Sequence, residues 1–261
     1  MPKFVPISVE RHRNGYWRRG TSYSFAKQEV LFPIYGAELP RAALSNLIAL
    51  VPQKEVMIPV MVMGLYPGQN VYVRESGDWG TSYVPAELRA HPFKILNTTD
   101  GQPAICVDES SGLLSSSDNM NPPEPLLTSS GELAAGAKQM LNLLLEIDAE
   151  RVVTQAAIGL LRDANLIIPW PIDVGTPESP DMVHGLFRVD ERAMNLMPAS
   201  AFSELRTHGA LALAYAQLLS IQHLDDIKQR VRIDRETALA RVSKSESPLG
   251  SPFFEGDTIR F

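Results

Sequence analysis

Ser129-Ser130-Gly131-Glu132-Leu133-Ala134-Ala135-Gly136-Ala137-Lys138-Gln139-Met140-Leu141-Asn142-Leu143-Leu144 is where the chain changes its period. Leu133, Ala137, Met140, Leu141 and Leu144 fall on one helical stripe, and Ser129 with Glu132 has the spacing of a capping box, so a helix is expected from here. Upstream, apolar runs are short and punctuated by Pro and Gly: Val30 to Tyr35, Val56 to Met63, Val71 to Val73, Ser82 to Pro85, Phe93 to Leu96 and Ala104 to Val107. These read as strands, and Ala42 to Leu50 alone has helical spacing. Ser110 to Ser130, rich in Ser, Pro and Asn, reads as a loop or linker.

Downstream, Glu150 to Asn165 gives a second helix, with Val152, Val153, Ala156, Ala157, Leu160 and Leu161 as its apolar residues. It stops before Pro169-Trp170-Pro171 and is expected to pack on the first. Gly185 to Val189 reads as a strand, Ser200 as the cap of a helix that Gly209 stops, and Ala210 to Gln229 as a long helix with Leu211, Ala214, Tyr215, Leu218, Leu219 and Gln222 along one face. A short helix is expected over Arg235 to Val242. The fold class is α+β: a β-rich region 1–125 packed against a mainly helical region 126–242, either as two parts or as one continuous domain, and a tail 243–261 that ends in Phe253, Phe254 and Phe261.

Composition narrows the function classes. The 261 residues are 44% hydrophobic, enough for a sizeable core. The net charge is -6, and the basic residues gather only at Arg11-His12-Arg13 and Arg18-Arg19, which argues against a nucleic-acid groove. A single cysteine, Cys106, excludes an internal disulfide and a cysteine-rich metal site, and its apolar surroundings suit an inert thiol. No stretch approaches the 18 or so apolar residues of a membrane span, and the start has no Sec signal pattern. Synthesis in the cytoplasm is expected, with a cell surface or a virion as a possible destination.

No GxSxG, P-loop, HExxH, GxGxxG or EF-hand pattern is present. His12, His91, His184, His208 and His223 are scattered and read as surface or capping residues; Asp108-Glu109 and Asp225-Asp226 read as solvated acids. No catalytic residue, metal or cofactor is expected. The densest run of unusual residues is Gly64 to Phe93, with Gly64-Leu65-Tyr66-Pro67-Gly68-Gln69-Asn70, Asp78-Trp79-Gly80 and Tyr83-Val84-Pro85-Ala86-Glu87-Leu88-Arg89. Two readings stand. Tyr66, Tyr72, Trp79 and Tyr83 line a groove as interface anchors, or Trp79 and Tyr83 pin a hairpin to the core while Arg89 pairs with an acid. Phe253, Phe254 and Phe261 likewise either fray or dock on a neighbouring subunit.

Val5-Pro6-Ile7 with Glu10-Arg11-His12-Arg13, Tyr23-Ser24-Phe25-Ala26, the Gly64 to Phe93 run, Cys106-Val107-Asp108, Thr154 to Leu166 and Gly209-Ala210-Leu211 with Tyr215, Leu218 and Ser220 together resemble the SapC family of bacterial proteins over nearly the whole chain. Ala90-His91 departs from the pattern, standing where an arginine and an aromatic are common, and Ala26-Lys27-Gln28 varies around the second block. The resemblance implies a structural or assembly role in a protein coat such as a surface layer. The same family also occurs beside outer-membrane receptors and flavin-dependent halogenases, which suits a soluble accessory protein. It carries over no catalytic residues.

The leading expectation is a non-enzymatic, self-associating structural protein of a surface-layer-like or virion-like coat, a homo-oligomer or a partner of other structural proteins, acting through Tyr66, Trp79, Tyr83, Arg89 and the tail phenylalanines. The alternative is an accessory protein holding a small molecule or peptide in a pocket of the β-rich part, with Asp78, Tyr83 and Arg89 converging on it. An enzyme acting through Asp108, His12 or His91 ranks third.

Overall fold

The computed structural model describes residues 2–98, 101–117, 123–176 and 178–245, with side chains through residue 239. In chain order the first part forms β1 (Phe4–Pro6), α1 (Val9–His12), β2 (Tyr16–Trp17), β3 (Leu31–Pro33), α2 (Glu38–Ala42), β4 (Ile48–Gln53), β5 (Val56–Val62), α3 (Ala86–Arg89), β6 (Phe93–Asn97), β7 (Pro103–Asp108), β8 (Leu114–Ser115) and β9 (Glu124–Pro125). There follow α4 (Ala135–Asp163), β10 (Ile167–Pro169), β11 (Ile172–Asp173), β12 (Met182–Val183), β13 (Phe187–Val189), α5 (Glu191–Asn195), α6 (Ala199–Thr207), α7 (Ala210–Ser220) and α8 (Leu224–Ser245). The architecture is α+β.

The main sheet runs β10-β13-β4-β5-β3, all antiparallel. Its hairpin β4–β5 turns through Lys54 and Glu55, with Lys54 at φ 55°. β10 and β13 come from beyond residue 125, so the sheet itself joins the two parts of the chain. β13 meets β4 at the single residue pair Phe187 and Leu50, and α7 stitches the gap: the buried Gln217 side chain accepts from the Val189 amide and donates to the Ile48 carbonyl. A smaller sheet, β1-β7-β6, and a three-stranded cluster, β8-β2-β9, lie apart from it.

Helix α4 connects two cores. Its first half buries Ala137, Met140 and Leu144 with Trp17, Phe93, Val107 and Leu126. The Trp17 ring stands edge-on to Phe93 at 4.6 Å, a favoured aromatic geometry. Its second half buries Ala157, Ile158 and Leu161 in the larger core, with the main sheet, α7 and the start of α8. At Gly36 the chain passes so close to α4 that an added Cβ would lie 1.8 Å from the Glu150 carboxylate, and the Gly36 amide donates to Thr154 Oγ1. No larger residue fits there without displacing α4 or its side chain.

Several expectations are corrected. The two helices expected across Ser129 to Asn165 are one helix of 29 residues. The exposed Asp148-Ala149-Glu150 interrupts the buried stripe, but the backbone continues between the two cores. The helix starts at Ala135 without a side-chain cap, while Thr128 Oγ1 accepts from the Glu132 amide in a turn before it. Ala42 to Leu50 is not a helix. Ile48, Ala49 and Leu50 form the central strand β4, covered on both faces, and a continuously apolar run of that length carries no period to tell strand from helix.

Val71 to Val73 and Ser82 to Pro85 contribute no strand, only an isolated bridge between Val73 and Trp79. Pro198, not Ser200, precedes α6. The helix expected over Ala210 to Gln229 divides. The Ser220 hydroxyl bonds back to the Gln217 carbonyl and tightens residues Ile221–His223 into a 3-10 turn, after which α8 absorbs Arg235 to Val242. On α7, Leu213, Ala216, Gln217 and Ser220 are buried beside Leu211 and Ala214, whereas Tyr215 and Leu219 face solvent.

Candidate functional site

The Gly64 to Phe93 run is held by its own polar atoms. Gly64 admits no Cβ, which would fall 1.7 Å from the Gln69 carbonyl. Asn70 is buried, donating to the Ala26 carbonyl and accepting from the Tyr72 amide. Trp79 is half-buried between Tyr23 and Tyr72, and its indole N–H donates to the Tyr83 carbonyl at 2.7 Å and to Thr81 Oγ1. The Tyr83 hydroxyl and the Ala86 amide both donate to Glu38 Oε1 at 2.7 Å, and burial first, then the Glu38 partner, pushes the Tyr83 hydroxyl well above its usual range. Burial likewise pushes Tyr72 up to about 12.

Arg89 is exposed, with its positive charge near Tyr83 and Tyr23. Tyr66 lies elsewhere: its hydroxyl donates to Asp181, and the Arg235 guanidinium sits 4.2 Å over its ring. The rings named by the sequence therefore serve two separate regions. Phe253, Phe254 and Phe261 lie outside the described residues, and Asp78, Tyr83 and Arg89 line none of five well-formed clefts of the described surface.

A polar cleft lies elsewhere in the β-rich part. The strand end at Asp108, the turn at His91 and the loop Arg18–Phe25 enclose roughly 520 Å³. On its wall Phe25, 43% exposed, stacks on the His91 ring at 3.8 Å and 16°. On one side of that stack lie Arg18, Thr21, Ser22, Ser24, Ser110 and Ser111. On the other a smaller apolar lobe of about 170 Å³ is walled by Phe4, Phe32, Leu88 and Phe93, with Glu29, Glu87 and Lys94 also lining it. Both lobes share Pro2, Phe25, His91 and Asp108, so the ring pair borders a hydroxyl-lined space and a phenylalanine-walled one.

The titratable groups here are braced. Desolvation pushes Asp108 up, but the Ser110 hydroxyl, the Lys3 and Ser110 amides and the nearby His91 outweigh it, so the carboxyl stays below its ordinary value. Burial holds His91 below its ordinary value against the opposing Asp108 charge. The His91 ring stacks on Phe25 as an aromatic ring would. Asp108 and His91 do meet at one cleft.

His12 lines a different cleft and is buried, so of the expected surface or capping role only the second fits. Its Nδ1 accepts from the Ser8 amide, its Nε2 lies 3.6 Å from Glu109, and burial pushes it down. Glu109 is gripped by Arg11 in a two-pronged ion pair and by Lys3 at 3.3 Å, which brings its carboxyl to about 2, the Arg11 hydrogen bond contributing most. Cys106 is buried and burial raises its thiol, the condition of an unreactive cysteine. Among the described residues no cluster of His, Cys, Asp or Glu could hold a metal, and no helix is long and apolar enough to cross a membrane.

Sequence reasoning passed over Phe25, Arg18 and the serines as a site. A usable signal was present: Tyr23-Ser24-Phe25-Ala26, Pro92-Phe93 and Cys106-Val107-Asp108, far apart in the chain, meet at this cleft. The model of the SapC family matches residues 7–227. No curated protein and no solved structure matches the chain.

Proposed function

The chain belongs to the SapC family, and from that premise we propose that it is a non-enzymatic accessory protein that holds a small molecule or peptide in the two-lobed cleft around Phe25 and His91. The exposed Phe25 ring, already stacked on His91 between a polar and an apolar lobe, is the observation that carries this reading. A flat exposed ring backed by a second ring costs little entropy to use as a platform. The ligand suited to it has an aromatic or aliphatic body for the phenylalanine-walled lobe. Its head is anionic or hydroxylated, for Arg18 and the serine and threonine hydroxyls.

Binding is favoured over chemistry because the best-placed acid is already engaged. Asp108 accepts from two amides and one hydroxyl, which leaves it a poor proton acceptor for a substrate. The coat reading draws its contacts from Trp79, Tyr83 and the tail phenylalanines. Trp79 and Tyr83 have their polar tips bonded within the chain, so they lend it less support.

The probe 1-anilinonaphthalene-8-sulfonate, an aromatic body with one anionic head, tests the cleft. Saturable binding is expected, weakened roughly tenfold, about 1.4 kcal/mol, by Phe25→Ala and by Arg18→Ser. Absence of saturable binding to the unaltered chain, or binding indifferent to both substitutions, would overturn the proposal.

A further inference from the structure

Helix α4 turns one apolar line to solvent. Leu145, Ala149, Val152 and Ala156 recur at spacings of four, three and four, and all are exposed, Leu145 by 51% and Val152 by 58%. They lie opposite the buried Met140, Ile158 and Leu161, so the helix is apolar on two faces and, among the described residues, only one is covered. Val153, 63% exposed, widens the line. Alternating four- and three-residue spacing keeps a seam facing a second helix, and branched residues at it are what such pairing buries.

Two features select the partner. Antiparallel pairing of this seam with itself, about a two-fold axis near residues 150 and 151, sets Leu145 against the partner's Ala156 and Val152 against the partner's Ala149. Every layer then joins a large side chain to a small one, the arrangement that fills space between helices; a parallel pairing sets Leu on Leu and Ala on Ala. Lys138 lies seven residues before Leu145 and Asp163 seven residues after Ala156, both exposed and on the same outward line. The antiparallel register that matches large to small also sets each Lys138 against the partner's Asp163, at both ends of a seam roughly 37 Å long. A parallel register opposes like charges there.

We propose that α4 is the contact helix of a symmetric dimer of this chain, paired antiparallel through Leu145, Ala149, Val152 and Ala156 and aligned by Lys138 and Asp163. An isologous contact of this kind closes on itself and needs only one patch per chain. It lies on a different element from the Phe25 cleft and does not depend on the binding role.

Sedimentation of the full chain between about 1 and 100 µM tests it. A dimer is expected, converted to monomer by Val152→Asp with the circular dichroism spectrum unchanged; should that variant fail to fold, Leu145→Lys serves in its place. Lys138→Glu and Asp163→Lys should each weaken association several-fold, and the double variant should restore it. A monomer at the top concentration, or a dimer indifferent to both seam substitutions, overturns the contact. A double variant no better than the single ones overturns the antiparallel register.

Discussion

Two aromatic regions of this molecule look alike in sequence and behave differently in space. In the turn segment, Trp79 packs between Tyr23 and Tyr72 with its indole N–H bonded to Thr81 and the Tyr83 carbonyl, and the Tyr83 hydroxyl is bonded to Glu38. Around the cleft, Phe25 and His91 stack on each other and Phe25 stays partly exposed. The difference lies in the polar tips. A ring whose N–H or O–H finds an internal partner is held as a brace, and a phenylalanine, with no such tip, is free to be a platform.

The strongest way to break this contrast is to remove the brace. Trp79→Ala deletes a ring packed between Tyr23 and Tyr72 and frees the Tyr83 carbonyl, so a loss of about 3 kcal/mol is expected from urea unfolding. A loss below about 1 kcal/mol would mean that Trp79 is not a structural ring.

Glu38 comes next. One carboxylate oxygen takes the Tyr83 hydroxyl and the Ala86 amide and the other the Tyr35 amide, so Glu38→Ala strands three donors. A cost of about 2 kcal/mol is expected, with Glu38→Gln recovering part of it. Equal losses for the two substitutions would show that the carboxylate's bonds are not what braces Tyr83.

Much of this division was hidden in the sequence for physical reasons. Strands β3, β5, β6, β7 and β13 were legible because turn formers bound short β-branched runs, and the left-handed Gly209, at φ 76°, marked the break between α6 and α7. Strand β4 was not, because a central strand has no exposed face to print a period of two. The partner of Tyr83 was not legible either. Glu38 lies 45 residues away, on the short helix α2 that packs against α7. The cleft failed to announce itself because hydroxyls, one arginine and one phenylalanine form no motif until the chain folds.

Phe25 sharpens the contrast from the other side. With an exposed ring and no polar tip, Phe25→Ala should cost less than about 1 kcal/mol in unfolding while removing most of the anilinonaphthalene sulfonate binding. Trp79→Ala, in protein that stays folded, should leave that binding in place. A reversal of the two phenotypes would exchange the roles of the two regions.

The smallest expected effect is a change of slope. Burial lowers His91 from its ordinary value of 6.5, so the folded chain binds this proton less readily than the unfolded one does. Stability contributed by the neutral ring is therefore complete above about pH 6.5 and is lost as pH falls through the lower folded value. The Asp108 carboxylate, the charge facing the ring, reduces this loss without reversing it. His91→Phe keeps a ring to stack on Phe25 and removes the proton site, so its melting temperature should fall less than that of the unaltered chain between about pH 7 and 5. His12, lowered by burial as well, remains in both proteins and leaves a residual slope. The hydroxyls of Tyr72 and Tyr83, pushed upward, contribute nothing in this range, so the slope reports the platform and not the brace. Parallel melting profiles for the two proteins would mean that His91 is not desolvated in the stack, and that the cleft is wetter than its phenylalanine walls imply.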